Sequence, residues 1–323
     1  MSAPSARDCP IIAFVVPCFN EEAAFAHTLS ELSAYIDGLI EQKKLSSNSY
    51  MYFVDDGSRD LTWTMIGDAA KANPGRVRGL KLARNAGHQN ALLAGLVAQI
   101  GKADATISLD ADLQDDIAAI GKMLEKFSGG AEIVFAVRDS RATDTTFKRS
   151  TALSYYRVLR WLGADIIPNH ADFRLMSDRA LRALDSFGEV NVFLRGLVRQ
   201  LGFKTDTVTF DRKARLHGET KYSIGKMTGL ALDGITSFTV RPLRIVTILG
   251  LTMFAFFIGA TIWVLVSWLA GETIEGWTSL MLIFLLISSF QTLAIGIIGE
   301  YVGKTYFEAK ARPRYIIEME ISP

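Results

Sequence analysis

The triplet Asp110-Ala111-Asp112, followed by Leu113-Gln114, closes a short apolar run, Ala105–Leu109. Residues i and i+2 leaving a strand can point to the same side, which lets two carboxylates converge on one cation. Carboxylate and amide oxygens are hard ligands that suit Mg2+ or Mn2+. An ion held there would bridge two phosphates and neutralise charge building on a diphosphate leaving group. An isolated Asp-x-Asp also occurs in helix caps and solvated turns. Its weight here comes from the end of a buried strand and from a second acidic strand end, Asp55-Asp56-Gly57-Ser58. That second motif reads either as turn chemistry, which Asp and Gly favour, or as carboxylates that hydrogen-bond a base and ribose. His88 has no second His nearby, so a structural or hydrogen-bonding role is expected of it.

These residues need a scaffold that brings strand ends together. Ile11–Pro17 is a continuous apolar run, the mark of a fully buried parallel strand. Strands are also expected over Tyr50–Val54, Val77–Leu82, Ala105–Leu109 and Glu132–Val137. Helices are expected between them over Glu21–Ile40, Leu61–Ala72, Ala86–Ile100 and Ile117–Phe127. This alternation predicts an α/β fold, a doubly wound, mostly parallel sheet with helices on both faces. Ligands in such sheets lie beyond the carboxyl ends of the strands. Four of those ends are polar: Pro17, Phe19, Asn20 and Glu21; Asp55 and Asp56; Arg84, Asn85, Gly87 and His88; and Asp110 to Asp116.

The C-terminal part has a different character. Ile245–Ala270 runs 26 residues without a charge and Ser279–Gly299 runs 21, each enough to span a bilayer. The connector, residues 271–278, holds Glu272 and Glu275 and no Lys or Arg. Arg241, Arg244, Lys304, Lys310, Arg312 and Arg314 flank the pair, so both flanks are expected on the cytoplasmic side. Trp263, Trp268 and Trp277 gather towards the outer end, as interfacial indoles do. The domains expected are therefore a cytosolic catalytic domain, 1–223; an amphipathic segment, 224–244; spans at 245–270 and 279–299; and a cytosolic tail, 300–323. The amphipathic segment reads equally as a helix on the membrane surface or one packed on the domain. Residues 314–321 are expected as a strand that pairs with the domain or with a neighbour.

A net charge of +1 lacks the basic footprint of a nucleic-acid partner, so none is expected. Cys9 and Cys18 have no metal or redox spacing and are expected as reduced thiols. Met1–Pro10 is polar and lacks an apolar core, so a cleaved leader is not expected.

Six motifs in order carry a resemblance: Pro17-Cys18-Phe19-Asn20-Glu21, Val54 to Ser58, Arg84 to Gln89, Asp110 to Asp115, Asp172-Phe173-Arg174 and His217 to Tyr222. Together they resemble the polyprenyl-phosphate glycosyltransferases of the GT-A fold, family 2, with the bactoprenol glucosyltransferases and dolichol-phosphate mannose synthases among them. The resemblance extends over nearly the whole chain. It implies that Pro17, Phe19, Glu21 and Asp56 hold the base and ribose, with Asp55 and Arg84 in the same donor set. It implies Asp110, Ala111 and Asp112 at the diphosphate, Asp112 and Gln114 on the metal, and Arg138 facing the donor. Arg215 and Lys221 would bind phosphate at the membrane side and, with Asp110 and Asp112, make up the catalytic set. Asp172 and Arg174, expected after a loop, either pair to order it or contact the acceptor. Phe19 stands where the family usually has Tyr, which keeps stacking and loses a hydroxyl.

The implied reaction is inverting, metal-dependent transfer of a hexose, glucose first among candidates, from a UDP-sugar to undecaprenyl phosphate. A phosphate monoester is largely a dianion at neutral pH, its second pKa being about 6, so no strong general base is needed. The resemblance also implies the bacterial inner membrane and a homo-oligomer, a tetramer in related enzymes. A processive polysaccharide synthase is the nearest rival, but Arg157-Val158-Leu159-Arg160-Trp161 only approximates its Gln-x-x-Arg-Trp motif. A non-catalytic membrane adaptor that binds sugar nucleotide is the rival from another class, and intact Asp110, Asp112 and Gln114 argue against it.

Overall fold

The computed structural model describes residues 9–138, 170–190, 194–210, 241–270 and 276–322. Arg215, Lys221, the amphipathic segment 224–240, residues 157–161 and most of the connector lie outside the described residues.

Eight strands form one sheet: β1 (Ile12–Cys18), β2 (Tyr50–Asp55), β3 (Val77–Leu82), β4 (Ala105–Ser108), β5 (Ile133–Arg138), β6 (His170–Ser177), β7 (Thr205–Phe210) and β8 (Ile317–Ile321). Their order is β7-β5-β6-β4-β1-β2-β3-β8. β1 pairs in parallel with β2 and β4, and β2 with β3. Every residue of β1, β2 and β4 is buried, as apolar runs covered on both faces must be. Around the sheet lie α1 (Glu22–Glu41), α2 (Thr62–Ala72), α3 (His88–Val97), α4 (Ala119–Ser128), α5 (Asp178–Asp185) and α6 (Leu194–Gln200). Phe14, Leu32, Ile36, Phe53, Ile66 and Ile107 anchor one continuous core between helices and sheet.

The fold class is the one expected, a mostly parallel doubly wound sheet, with two antiparallel additions. β5 is not beside β4: β6 lies between them, antiparallel to both. Asp172 and Arg174 therefore belong to a central strand. The last strand, β8, runs antiparallel along β3, so the chain's tail pairs with its own domain. Because the strand order reverses at β1, the crevice beyond β1 and β4 is where a ligand is expected.

The chain divides into two compact units, the first holding the sheet and the tail from Ala311, the second the two long helices. These are α7 (Arg241–Leu269, 29 residues) and α8 (Trp277–Lys310, 34 residues). α8 runs past the expected end at Gly299 by three turns. Apolar side chains on both stand exposed, among them Phe256 at 67% and Leu286 at 69%, so these helices are not the core of a soluble unit. Among the described residues one helical stretch, Leu286–Lys310, is long and apolar enough to cross a membrane, and Leu243–Met253 is apolar but shorter.

Candidate active site

Two loops at the crevice are laced to each other by hydrogen bonds. Asn20 N–H donates to Ser58 Oγ at 2.9 Å, and Arg59 N–H donates to Asn20 Oδ1 at 2.9 Å. Glu21 N–H donates to Thr62 Oγ1 at 2.9 Å, and Glu22 N–H to Asp60 Oδ2 at 3.1 Å. Asn20 holds φ 54, a conformation Asn tolerates. The lacing leaves Phe19 42% exposed. It lines a cleft of about 520 Å3 together with Asn20, Gly57, Arg59, Ala83, Arg84 and Asn85. An exposed aromatic face with two guanidinium groups suits a base and its phosphates. Arg59 escaped the sequence reading because it follows the Asp-Asp-Gly-Ser motif by one residue and has no spacing of its own.

Asp55 and Asp56 are nearly inaccessible, at 0% and 2%. Asp56 accepts from Ala86 N–H at 2.6 Å and Gly87 N–H at 3.0 Å, so its carboxylate shapes the loop after β3. Burial raises the pKa of Asp56 and these two N–H groups oppose the rise. Asp55 Oδ1 accepts from Ser58 N–H at 3.3 Å, while its Oδ2 is buried without a hydrogen-bond partner. Burial likewise raises its pKa. Both readings of the motif thus have support: turn chemistry for Asp56, and an acceptor still to be satisfied for Asp55.

The acidic end of β4 lies on the other side of β1. Ala111 O accepts from the Thr28 hydroxyl of α1, which anchors the loop to a helix. Asp112 Oδ2 accepts from Gln114 Nε2 at 2.7 Å, and Leu113 between them holds φ 43. The Asp110 carboxyl keeps 42% of its side-chain surface open. Burial, opposed by His88 and reinforced by Asp172, Asp115 and Asp112, pushes its pKa up to about 6. Glu21 is raised for related reasons, by burial first and then by Asp112, Asp60 and Asp110. Carboxylates from β1, β2, β4 and β6 therefore act on one another here, an arrangement that favours a cation or a proton between them.

His88 Nε2 lies 3.7 Å from Asp110 Oδ1 and 3.5 Å from Asp172 Oδ2. Gln89 Nε2 donates to Asp172 Oδ2 at 3.2 Å, and Gln89 Oε1 accepts from Leu194 N–H. His88 thus stands at ion-pair distance from two carboxylates, and Gln89 bridges Asp172 to the backbone of Leu194. Arg174 departs from its acceptor-binding expectation. Its side chain is fully buried, and Nη2 donates to Asp172 Oδ1 at 2.6 Å. Of the two readings of this pair, internal ordering is the one the geometry fits. Pro17, one residue before the end of β1, pairs with Val54, and Arg138 closes β5 opposite Phe210.

The chain thus carries a doubly wound sheet with an acidic strand end at its switch point and an open cleft at the neighbouring strand ends. The pattern of glycosyl transferase family 2 matches residues 13–185. An uncharacterized glycosyltransferase of Bacillus subtilis strain 168, YkoT, is 48% identical over 97% of this chain and 92% of its own. A prophage bactoprenol glucosyl transferase homolog of Escherichia coli K12 is 39% identical over 95% of this chain and 98% of its own. The bactoprenol glucosyl transferase of Shigella phage SfX is 37% identical over the same shares. This chain belongs to glycosyl transferase family 2: it is a glycosyltransferase with a GT-A fold.

Proposed function

We propose that this chain transfers a hexose, glucose first, from a UDP-sugar to undecaprenyl phosphate at the cytoplasmic face of the bacterial inner membrane, with inversion at the anomeric carbon. The observation that carries the reading is the Phe19, Arg59 and Arg84 cleft at the ends of β1, β2 and β3, with the Asp110–Gln114 end of β4 next to β1 at the switch point. The names of the two bactoprenol glucosyl transferases, which align over 95% of the chain, support the acceptor. The uncharged runs in α7 and α8 support a two-span anchor that keeps the catalytic unit beside its lipid.

A divalent ion fits the residues present. Asp112 offers a hard oxygen, and Gln114, hydrogen-bonded to it through its amide nitrogen, carries a second on the same amide; burial first and then the neighbouring carboxylates raise Asp110. Among the described residues no three His, Cys, Asp or Glu side chains gather to hold an ion alone. That suits Mg2+ or Mn2+, which take one or two protein ligands and fill the rest with water and substrate phosphate oxygens. When bound, the ion would offset negative charge on the departing UDP.

The chain's own groups do the rest. Phe19 stacks on the base, while Arg59 and Arg84 bring positive charge to the phosphates. Asp55 offers its second oxygen to a ribose hydroxyl or base N–H. Arg138, Arg215 and Lys221, the last two beyond the described residues, hold the lipid phosphate and the donor together. The attacking oxygen belongs to a phosphate that is already anionic, so positioning and charge stabilisation carry the rate. The test is transfer of labelled sugar from a panel of UDP- and GDP-sugars to undecaprenyl phosphate in detergent, with Mg2+, Mn2+ or EDTA. Wild type should give a lipid-linked monosaccharide only with metal, and Asp112→Asn should abolish it. A polymeric product would point to a processive synthase, and nucleotide binding without turnover to an adaptor.

A further inference from the structure

β8 does more than extend the sheet. It covers β3, which would otherwise end the sheet as an open edge. Where β3 stops, the pairing continues: Ala83 N–H donates to Ile316 O at 2.9 Å. Ala83 and the next two residues, Arg84 and Asn85, line the cleft. Charged sockets hold the strand in register. Tyr52 Oη donates to Glu320 Oε1 at 2.9 Å, and Lys102 Nζ lies 3.2 Å from the same oxygen. Lys81 Nζ lies 3.1 Å from Glu318 Oε2, and the Arg314 guanidinium donates to Phe187 O.

The loop after β3 has two other holds, the Asp56 carboxylate on Ala86 and Gly87 and the backbone of Gly57 against Arg84 and Asn85. Both come from the end of β2. The third comes from the far end of the chain, and only residues 311–316 separate it from Lys310, the last residue of α8.

We propose that the tail strand is a positioning clamp for the nucleotide loop, with Ile316 and Glu320 holding Ala83–Asn85 in the shape that receives a nucleoside diphosphate. The proposal rests on the cleft being the donor site. It makes donor affinity depend on a segment that follows the apolar helix, so the membrane-side end of the chain and the nucleotide cleft are built as one piece of sheet. Ile316 and Glu320 touch no substrate; they act through the loop.

The full-length protein in detergent is titrated with UDP, and donor KM and kcat are measured for variants at position 320. Glu320→Lys sets a cation against Lys102 and removes the acceptor of the Tyr52 hydroxyl. It should weaken UDP binding and raise donor KM by about tenfold, the scale of one lost hydrogen bond, with kcat within about twofold. Adding Lys102→Glu should restore both, which general destabilisation would not allow. A chain ending at Arg312 should regain affinity on addition of a peptide of residues 313–323. Wild-type affinity in Glu320→Lys would overturn the clamp, as would affinity that rises with protein concentration, since the strand would then come from a second copy. Failure of UDP to bind even the unaltered chain would instead overturn the donor reading beneath it.

Discussion

Gly57→Ala tests whether the loop after β2 sets the shape of the donor cleft. Gly57 holds φ 67, and a Cβ there would lie 2.7 Å from Arg84 C, 2.7 Å from Asn85 N and 2.9 Å from Arg84 Cα. All three are backbone atoms, so no side chain can swing away. Opening these contacts to ordinary separation requires the Arg84–Asn85 segment to retreat by about 0.7 Å. The left-handed backbone costs an alanine about 1 kcal/mol and the overpacking about 1–3 kcal/mol more. The retreat matters more for function, because Arg84 lines the cleft and a displacement approaching 1 Å misplaces what it holds. We expect donor KM to rise by about tenfold or more, with a folded enzyme and a lowered melting temperature. Gly75→Ala is the control: it shares a positive φ of 84 but has nothing within 4 Å of the added carbon. It should lose about 1 kcal/mol and leave donor KM unchanged. Calorimetry with UDP, donor kinetics and thermal melts on both variants decide the matter. Equal donor KM in the two would refute the claim that Gly57 braces the cleft.

Two further substitutions probe the acidic side. Asp110 should titrate near pH 6 by 13C carboxyl shifts, and Asp112→Asn should lower that value by removing one of the charges that raise it. Because the folded pKa lies above the ordinary 3.8, the native state binds a proton that the unfolded chain releases between about pH 6 and pH 4. Ionising this group in the folded protein therefore opposes folding: stability falls as pH rises through that window, and the full unfavourable effect is present above about pH 6. A midpoint near 4 in the folded enzyme would remove the argument for crowded carboxylates. Arg174→Met should cost about 3–5 kcal/mol, because it leaves Asp172 buried at 7% exposure without its guanidinium. Pairing it with Asp172→Leu should recover much of the loss in denaturant melts, and no recovery would mean that the pair is not a closed unit.

The parts of this fold that were legible are those whose burial is uniform. β1, β2 and β4 are covered on both faces, so they read as unbroken apolar runs, and the polar residues at their ends mark the crevice. β6 was not legible, for the opposite reason. Its sequence, His-Ala-Asp-Phe-Arg-Leu-Met-Ser, carries Asp172 and Arg174 into a central position, which their mutual pairing and the bonds to Gln89 and Leu194 O make tolerable. A pattern rule sees two charges and infers a loop. β7 alternates exposed and buried residues along the sheet's margin, too weakly to stand out from a surface segment. The start of α3 moved from Ala86 to His88 because the N–H groups of Ala86 and Gly87 are taken by Asp56, and Gly87 holds φ 89. That partner is 30 residues away, beyond any helix-start signal. The site divides along the same line. Asp110, Asp112 and Phe19 announced themselves by type and position, whereas the work of Asp56, Gln89 and Glu320 is to hold other groups in place. Such residues become visible only when their partners do: the tail strand was expected from sequence, but the identity of its partner, β3, more than 200 residues upstream, was not.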